Sequence, residues 1–108
     1  MLDRDSLDVL KEIMEEEFVP LIELFVRDSD LRFPAMRRSL AEGDSEAVRH
    51  TVHSLKGASS NICATQLAGE ARAVELLAID ADLESLPEAI DALEASYRAV
   101  REELLTLI

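Results

Sequence analysis

The stretch His50–Ala64, HTVHSLKGASSNICA, holds both histidines of the chain, one of its three glycines and its only cysteine. A neutral imidazole is a nucleophile, and an ordinary pKa near 6.5 keeps much of it neutral at cellular pH. At about 100° per residue, Val48, Val52, Leu55, Ser59 and Ile62 gather on one side of a helix, the side that faces a core. His53 points almost the opposite way. Beside it lie Lys56 at i+3, Gly57 at i+4 and Ser60 at i+7, with Arg49 and His50 one turn earlier.

Gly57 is the costly member of this group. A mid-helix glycine loses about 1 kcal/mol relative to alanine, and an outward face gives no reason within the chain to accept that cost. What the missing side chain provides is room next to His53 for a bulky visitor. Lys56 adds a positive donor within reach of an anion on the ring, and Ser60 can add a hydroxyl. These parts suit nucleophilic attack by imidazole on a phosphoryl group, with the lysine offsetting charge on the phosphoryl oxygens. An exposed histidine by itself is an ordinary surface residue, and His50, which nothing marks, reads as a solvated helix position.

The elements that must position this face are all helical. Few glycines and prolines, with Leu, Ala, Glu, Arg and Asp dominant, favour helix over sheet. Five helical segments are predicted. The first, DRDSLDVLKEIMEEE, has Asp3 or Asp5 as its cap and Leu7, Leu10, Ile13 and Met14 on one stripe. The second runs from about Phe18 to Glu42, with Phe18, Ile22, Phe25, Phe33, Met36 and Leu40 inward. Leu24 and Leu31 lie on another side, where the first helix is expected to cover them. Pro34 is expected to kink this helix or break it in two.

Gly43 ends the second helix, and Asp44 or Ser45 starts a third that reaches about Asn61. The fourth, ATQLAGEARAVELLA, sets Leu67, Ala71, Val74 and Ala78 on one face. In the last, Leu83, Leu86, Ile90, Leu93, Tyr97, Val100, Leu104 and Leu107 alternate spacings of three and four, a heptad seam, with Pro87 tolerable near its first turn. Short links between such helices predict an all-α, antiparallel up-and-down four-helix bundle with an additional N-terminal helix covering one end, as a single domain over 1–108.

Eleven basic against twenty-three acidic side chains give a net charge of −12. That field repels phosphate backbones and anionic lipid, so nucleic-acid and membrane partners are not expected. One cysteine makes no internal disulfide, no apolar run approaches a membrane span, and the N-terminus lacks a signal core. A cytoplasmic monomer is the expectation.

HSLKGASSNICA resembles the signature of the histidine-containing phosphotransfer (HPt) domain family of bacterial phosphorelays, through His53, Leu55, Lys56, Gly57, Ser59, Asn61, Ile62 and Ala64. LIELFVRDSDLRFPAMRRSLAEGD resembles the helix that precedes the histidine helix there. The resemblance implies a carrier that accepts a phosphoryl group on His53 from a receiver-domain aspartate or a sensor kinase and passes it to a response-regulator receiver. It implies response-regulator receiver domains and an upstream hybrid sensor kinase as partners. It also implies no stand-alone catalysis, no ATP site and no cofactor, the Mg²⁺ being held by the receiver partner. The short chain fits a free-standing carrier.

Two positions depart from the family pattern. Cys63 stands where glycine is usual, so the turn there is expected to differ, or Asn61 to absorb the bend. Glu75 stands where some members place an amide that points back at the ring. An acid near an incoming phosphoryl group is unhelpful, although it could accept a proton from the other ring nitrogen, and Glu75 is left out of the site.

Three rival readings are weaker. A histidine-kinase dimerisation helix usually carries H-E-x-x-[NT]-P, whereas Ser54 follows His53 and no proline is near. Glu46, His50 and His53 have spacings a metal could use, but di-metal bundles need matching sets on partner helices facing inward. The serious alternative is a non-reactive helical adaptor, docking a receiver or other partner through an apolar rim that includes Val52, Ile62 and parts of the second helix.

Overall fold

A computed structural model describes residues 2–108. Five helices follow in order: α1 (Arg4–Met14), α2 (Phe18–Ala41), α3 (Ser45–Asn61), α4 (Thr65–Ile79) and α5 (Leu86–Leu105), with a 3-10 turn, Glu15–Glu17, between the first two. Side-chain caps start two of them. The Asp3 carboxylate accepts from the Ser6 N–H at 3.2 Å, and Asp44 accepts from the Ala47 N–H at 3.0 Å.

Cross-helix pairs fix the directions. On α2 and α5, Tyr97 meets Val26 and Asp30 while Arg37 meets Asp91 and Glu94, so numbering rises on one helix as it falls on the other. Ser96 of α5 donates to Glu70 of α4, and His53 of α3 pairs with Glu75 of α4. Helices α2 to α5 therefore form the predicted antiparallel bundle. The Asp3 N–H donates to the Cys63 carbonyl at 2.9 Å, tying the start of α1 to the α3–α4 turn, while its end leads into α2. The N-terminal helix thus lies across that end of the bundle, with Leu7 buried.

The core holds the inward stripes as read: Phe18, Ile22, Phe25, Phe33 and Met36 from α2, Val48, Val52 and Leu55 from α3, Leu67, Ala71, Val74 and Ala78 from α4. The α5 seam buries Leu86, Ile90, Leu93, Tyr97, Val100 and Leu104. Each large side chain removed from water contributes roughly 1.5–3 kcal/mol, so this seam is a substantial part of what holds the bundle together.

Four local expectations are corrected. Leu24 and Leu31 are 45% and 67% exposed, because α1 crosses the end of the bundle and does not run alongside α2. Ile13 is 72% exposed: it lies 120° around α1 from Leu7, past the edge of the stripe that Leu10 and Met14 share. Leu83 is exposed because α5 begins only at Leu86. Of the two outcomes expected at Pro34, a kink or a break, the break is corrected: α2 continues from Phe18 to Ala41 through that proline. Buried Phe33 and Met36, and the Arg37 bonds to Asp91 and Glu94, hold the chain on either side of it.

Helices α2, α3 and α4 end in the same hydrogen-bond pattern, in which a residue with left-handed backbone follows the C-cap. At the end of α3 the Cys63 N–H reaches the Ser60 carbonyl and the Ala64 N–H reaches that of Ser59. The left-handed positions are Gly43 at φ 70°, Cys63 at φ 63° and Ala81 at φ 54°. Cys63 therefore takes the glycine conformation itself, and neither a different turn nor Asn61 absorbs the bend. The turn's own bonds, with the Asp3 bond to the Cys63 carbonyl, hold a strained residue in place.

Candidate functional site

Helix α3 presents His53 outward as its pattern requires. Val52, Leu55 and Ser59 are buried behind it, and the Ser59 hydroxyl satisfies itself on the Leu55 carbonyl at 2.7 Å. The His53 side chain is 59% exposed. Its neighbour across the α3–α4 seam is Glu75, whose side chain is only 7% exposed.

Glu75 bridges His53 and Lys56 of α3. Its Oε2 lies 2.7 Å from His53 Nδ1, and its Oε1 accepts from Lys56 Nζ at 2.7 Å. The hydrogen bond from Lys56 holds the Glu75 carboxyl below the usual glutamate range, with His53 adding to the effect against the opposing cost of burial. An ionised carboxylate can only accept, so His53 Nδ1 must be the donor. In the neutral ring that places the proton on Nδ1 and leaves the lone pair on Nε2. The group is thus an exposed imidazole held at Nδ1 by a buried anion, itself paired with a lysine whose side chain is 24% exposed.

Leaving Glu75 out of the site is corrected here: it is the residue that joins His53 to Lys56. A signal was present in the sequence. Glu75 follows Val74 and sits between Ala71 and Ala78 at helical spacing, so a carboxylate falls in the buried register of α4 and must find partners.

Gly57 stands open, and a Cβ built on it would meet nothing within 4 Å. Nothing inside the chain asks for glycine there, and the space beside His53 is free for an approaching molecule. Ser60 is exposed on the same face two turns beyond His53, and no hydrogen bond joins it to the His53–Glu75–Lys56 group. His50 is exposed, and Arg49 is engaged by Glu46 at 2.6 Å. Among the described residues no group of three or more His, Cys, Asp or Glu is placed to hold a metal ion. Val52 is fully buried and takes no part in a rim, while Ile62, also buried, lies at the floor of a groove. The apolar border is instead a shallow groove between α2 and α3, lined by Leu21, Leu24, Phe25, Asp28, Arg32 and Ala58 with their neighbours.

A helical bundle carrying an outward histidine, supported by lysine and a bare glycine, is the architecture of a histidine phosphotransfer domain. The family model described as the Hpt domain matches residues 20–103, and the chain belongs to that family. Among solved structures it is similar to histidine-containing phosphotransfer protein B (HptB) from Pseudomonas aeruginosa PAO1. The two share 38% identity over 97% of this chain and 91% of that one, at a TM-score of 0.92. The fold is also that of the histidine-containing phosphotransfer protein ZmHP2 from maize, at 20% identity, 95% and 83% coverage, and a TM-score of 0.84. No curated protein matches the chain. Family membership supports a phosphorelay carrier role. No helix among the described residues is long and apolar enough to cross a membrane.

Proposed function

We infer that this chain carries a phosphoryl group on His53 Nε2, accepting it from a receiver-domain aspartate or a sensor kinase and delivering it to a response-regulator receiver. The observation that carries this reading is the pairing of His53 Nδ1 with Glu75 at 2.7 Å, which commits one ring nitrogen and turns the other outward beside Gly57. Attack by the Nε2 lone pair on an aspartyl phosphate forms the N–P bond as the P–O bond to the aspartate breaks. The carboxylate leaves as an anion, and the return transfer is the reverse.

Lys56 serves two anions in this reading. It keeps Glu75 ionised in the resting protein, and its remaining N–H bonds are available to the phosphoryl oxygens. The groove beside Leu24 and Ala58, further along α3 toward its C-terminal end, gives a receiver an apolar surface on the same helix as His53. The receiver supplies its own divalent cation and acidic pocket. A non-reactive adaptor would use the same groove but would not need a glycine at position 57.

The test is incubation with a panel of phosphorylated receiver domains, scored for label on the wild type and on His53→Gln. Label on the wild type alone supports the assignment, and equal label on both overturns it.

A further inference from the structure

Helix α5 carries two seams. The one that faces the core runs through Leu86, Ile90, Leu93, Tyr97, Val100 and Leu104. A second runs beside it through Ala89, Ala92, Ser96, Ala99 and Glu103, with the same alternation of three and four. Ser96 donates to Glu70 of α4 at 2.6 Å, which places this second seam along the α4–α5 border. Ala92 and Ala99 are nonetheless exposed, as is Ala73 on the α4 side. These small side chains leave a shallow trough, lined by Glu70, Ala73, Val74, Ala89, Ala92 and Leu93.

The charges along this trough differ from those of the neighbouring borders. Between α2 and α5, Asp30 meets Arg101, while Asp91 and Glu94 meet Arg37. Between α3 and α4, Glu75 meets Lys56. On the trough, Glu70 has only the neutral Ser96 hydroxyl, and its Oε1 is buried with no hydrogen-bond partner. Oε1 of Glu103, two turns beyond Ser96 on the same seam, is likewise buried and unpartnered. Among the described residues no base pairs with either acid. The arginines of α5, Arg98 and Arg101, turn to the other side, lining the cleft that holds Asp30. A carboxylate oxygen withdrawn from water and left unpaired favours a cationic donor.

We propose that the α4–α5 trough docks a basic amphipathic helix of a partner protein, laid alongside α4 and α5. Alanine at successive steps of the seam admits a close helix, so the larger apolar side chains come from the partner. From Ala89 to Glu103 the seam is about 21 Å long, which matches roughly four turns of such a helix. Lysine or arginine on its flanks meets Glu70 and Glu103 and gives their free oxygens a donor.

Charge decides against other occupants. A second copy of this chain brings another net charge of −12, and anionic lipid and nucleic acid are repelled in the same way. Position separates this surface from the histidine. Glu70 reaches α5 from one side of α4, whereas Glu75 reaches His53 on α3 from the other. A helix seated in the trough leaves His53 and Gly57 uncovered, so one protein holds the chain while another meets its histidine.

The experiment titrates the full nitrogen-15-labelled chain with a synthetic helical peptide of about 16 residues, leucine and alanine along one stripe and lysine on both flanks. A second peptide holds the same residues in scrambled order. It keeps the charge and loses the apolar stripe, and so measures attraction to an acidic surface alone. The first peptide is expected to shift the amides of Ala73, Ala92, Ser96 and Ala99 with a Kd of ~100 μM or tighter, at least about tenfold below that of the scrambled one. This comparison needs no variant.

Glu70→Gln combined with Glu103→Gln should weaken binding about tenfold, and Ala92→Arg, which sets bulk and like charge in the trough, by at least as much. No binding of the amphipathic peptide, equal affinity for both peptides, or shifts centred on His53 and Gly57 or on the α2–α3 groove would each overturn the proposal. So would unchanged affinity in the folded double variant.

Discussion

Glu75 Oε2 and His53 Nδ1 face each other at 2.7 Å across the α3–α4 seam, a buried acid against an exposed base. The consequence for stability has a definite sign. The Glu75 pKa is lowered in the folded chain, chiefly by Lys56, so its contribution is present above the ordinary value of 4.5 and is lost as the pH falls through the lower folded value. Urea unfolding measured between pH ~2 and ~6 should show a steeper acid decline for wild type than for Glu75→Gln. Parallel declines would contradict an ionised Glu75.

Lys56→Ala leaves that buried carboxylate with one strong partner fewer. A loss of roughly 1–3 kcal/mol in unfolding free energy is expected, together with slower phosphoryl transfer and nearly unchanged receiver binding. Lys56→Arg, which retains the charge, should recover most of the stability. Denaturant titration and a binding isotherm separate the two effects.

Gly57→Leu tests clearance. No atom opposes a side chain at that position, and leucine is the better helix former by up to about 1 kcal/mol. Thermal unfolding should therefore move upward while transfer falls at least ~10-fold, a loss of about 1.4 kcal/mol or more in the transition state. Full-speed transfer by a stabilised Gly57→Leu protein would remove the argument for open space beside His53.

Ala81→Gly concerns the fold alone. Ala81 is exposed and takes a left-handed φ of 54° in the turn after α4, a conformation that costs a residue with a Cβ about 1 kcal/mol or more. The glycine variant should gain about 1 kcal/mol in urea unfolding with no change in transfer.

Helical periodicity made most of the bundle legible. The α5 seam and the α4 face were readable because each buried stripe repeats over several turns, and His53 was readable because it opposes such a stripe. What escaped depends on relations between helices. The exposure of Leu24 and Leu31 follows from the crossing of α1, which no periodicity within α2 encodes. The left-handed Cys63 follows from hydrogen bonds that close the turn around it, including one from Asp3, sixty positions away. Glu75 was visible as a charge in a buried register. Its partners became definite only when the antiparallel hairpin set it against His53 and Lys56.

The central claim is that the outward nitrogen, Nε2 of His53, takes the phosphoryl group because Nδ1 is committed to Glu75. The direct measurement is the nitrogen-15 and phosphorus-31 spectrum of the histidine-labelled protein after loading by a phosphorylated receiver. The expected result is phosphorus coupled to Nε2 of His53. Phosphorus on Nδ1, on His50 or on any other side chain would contradict the account.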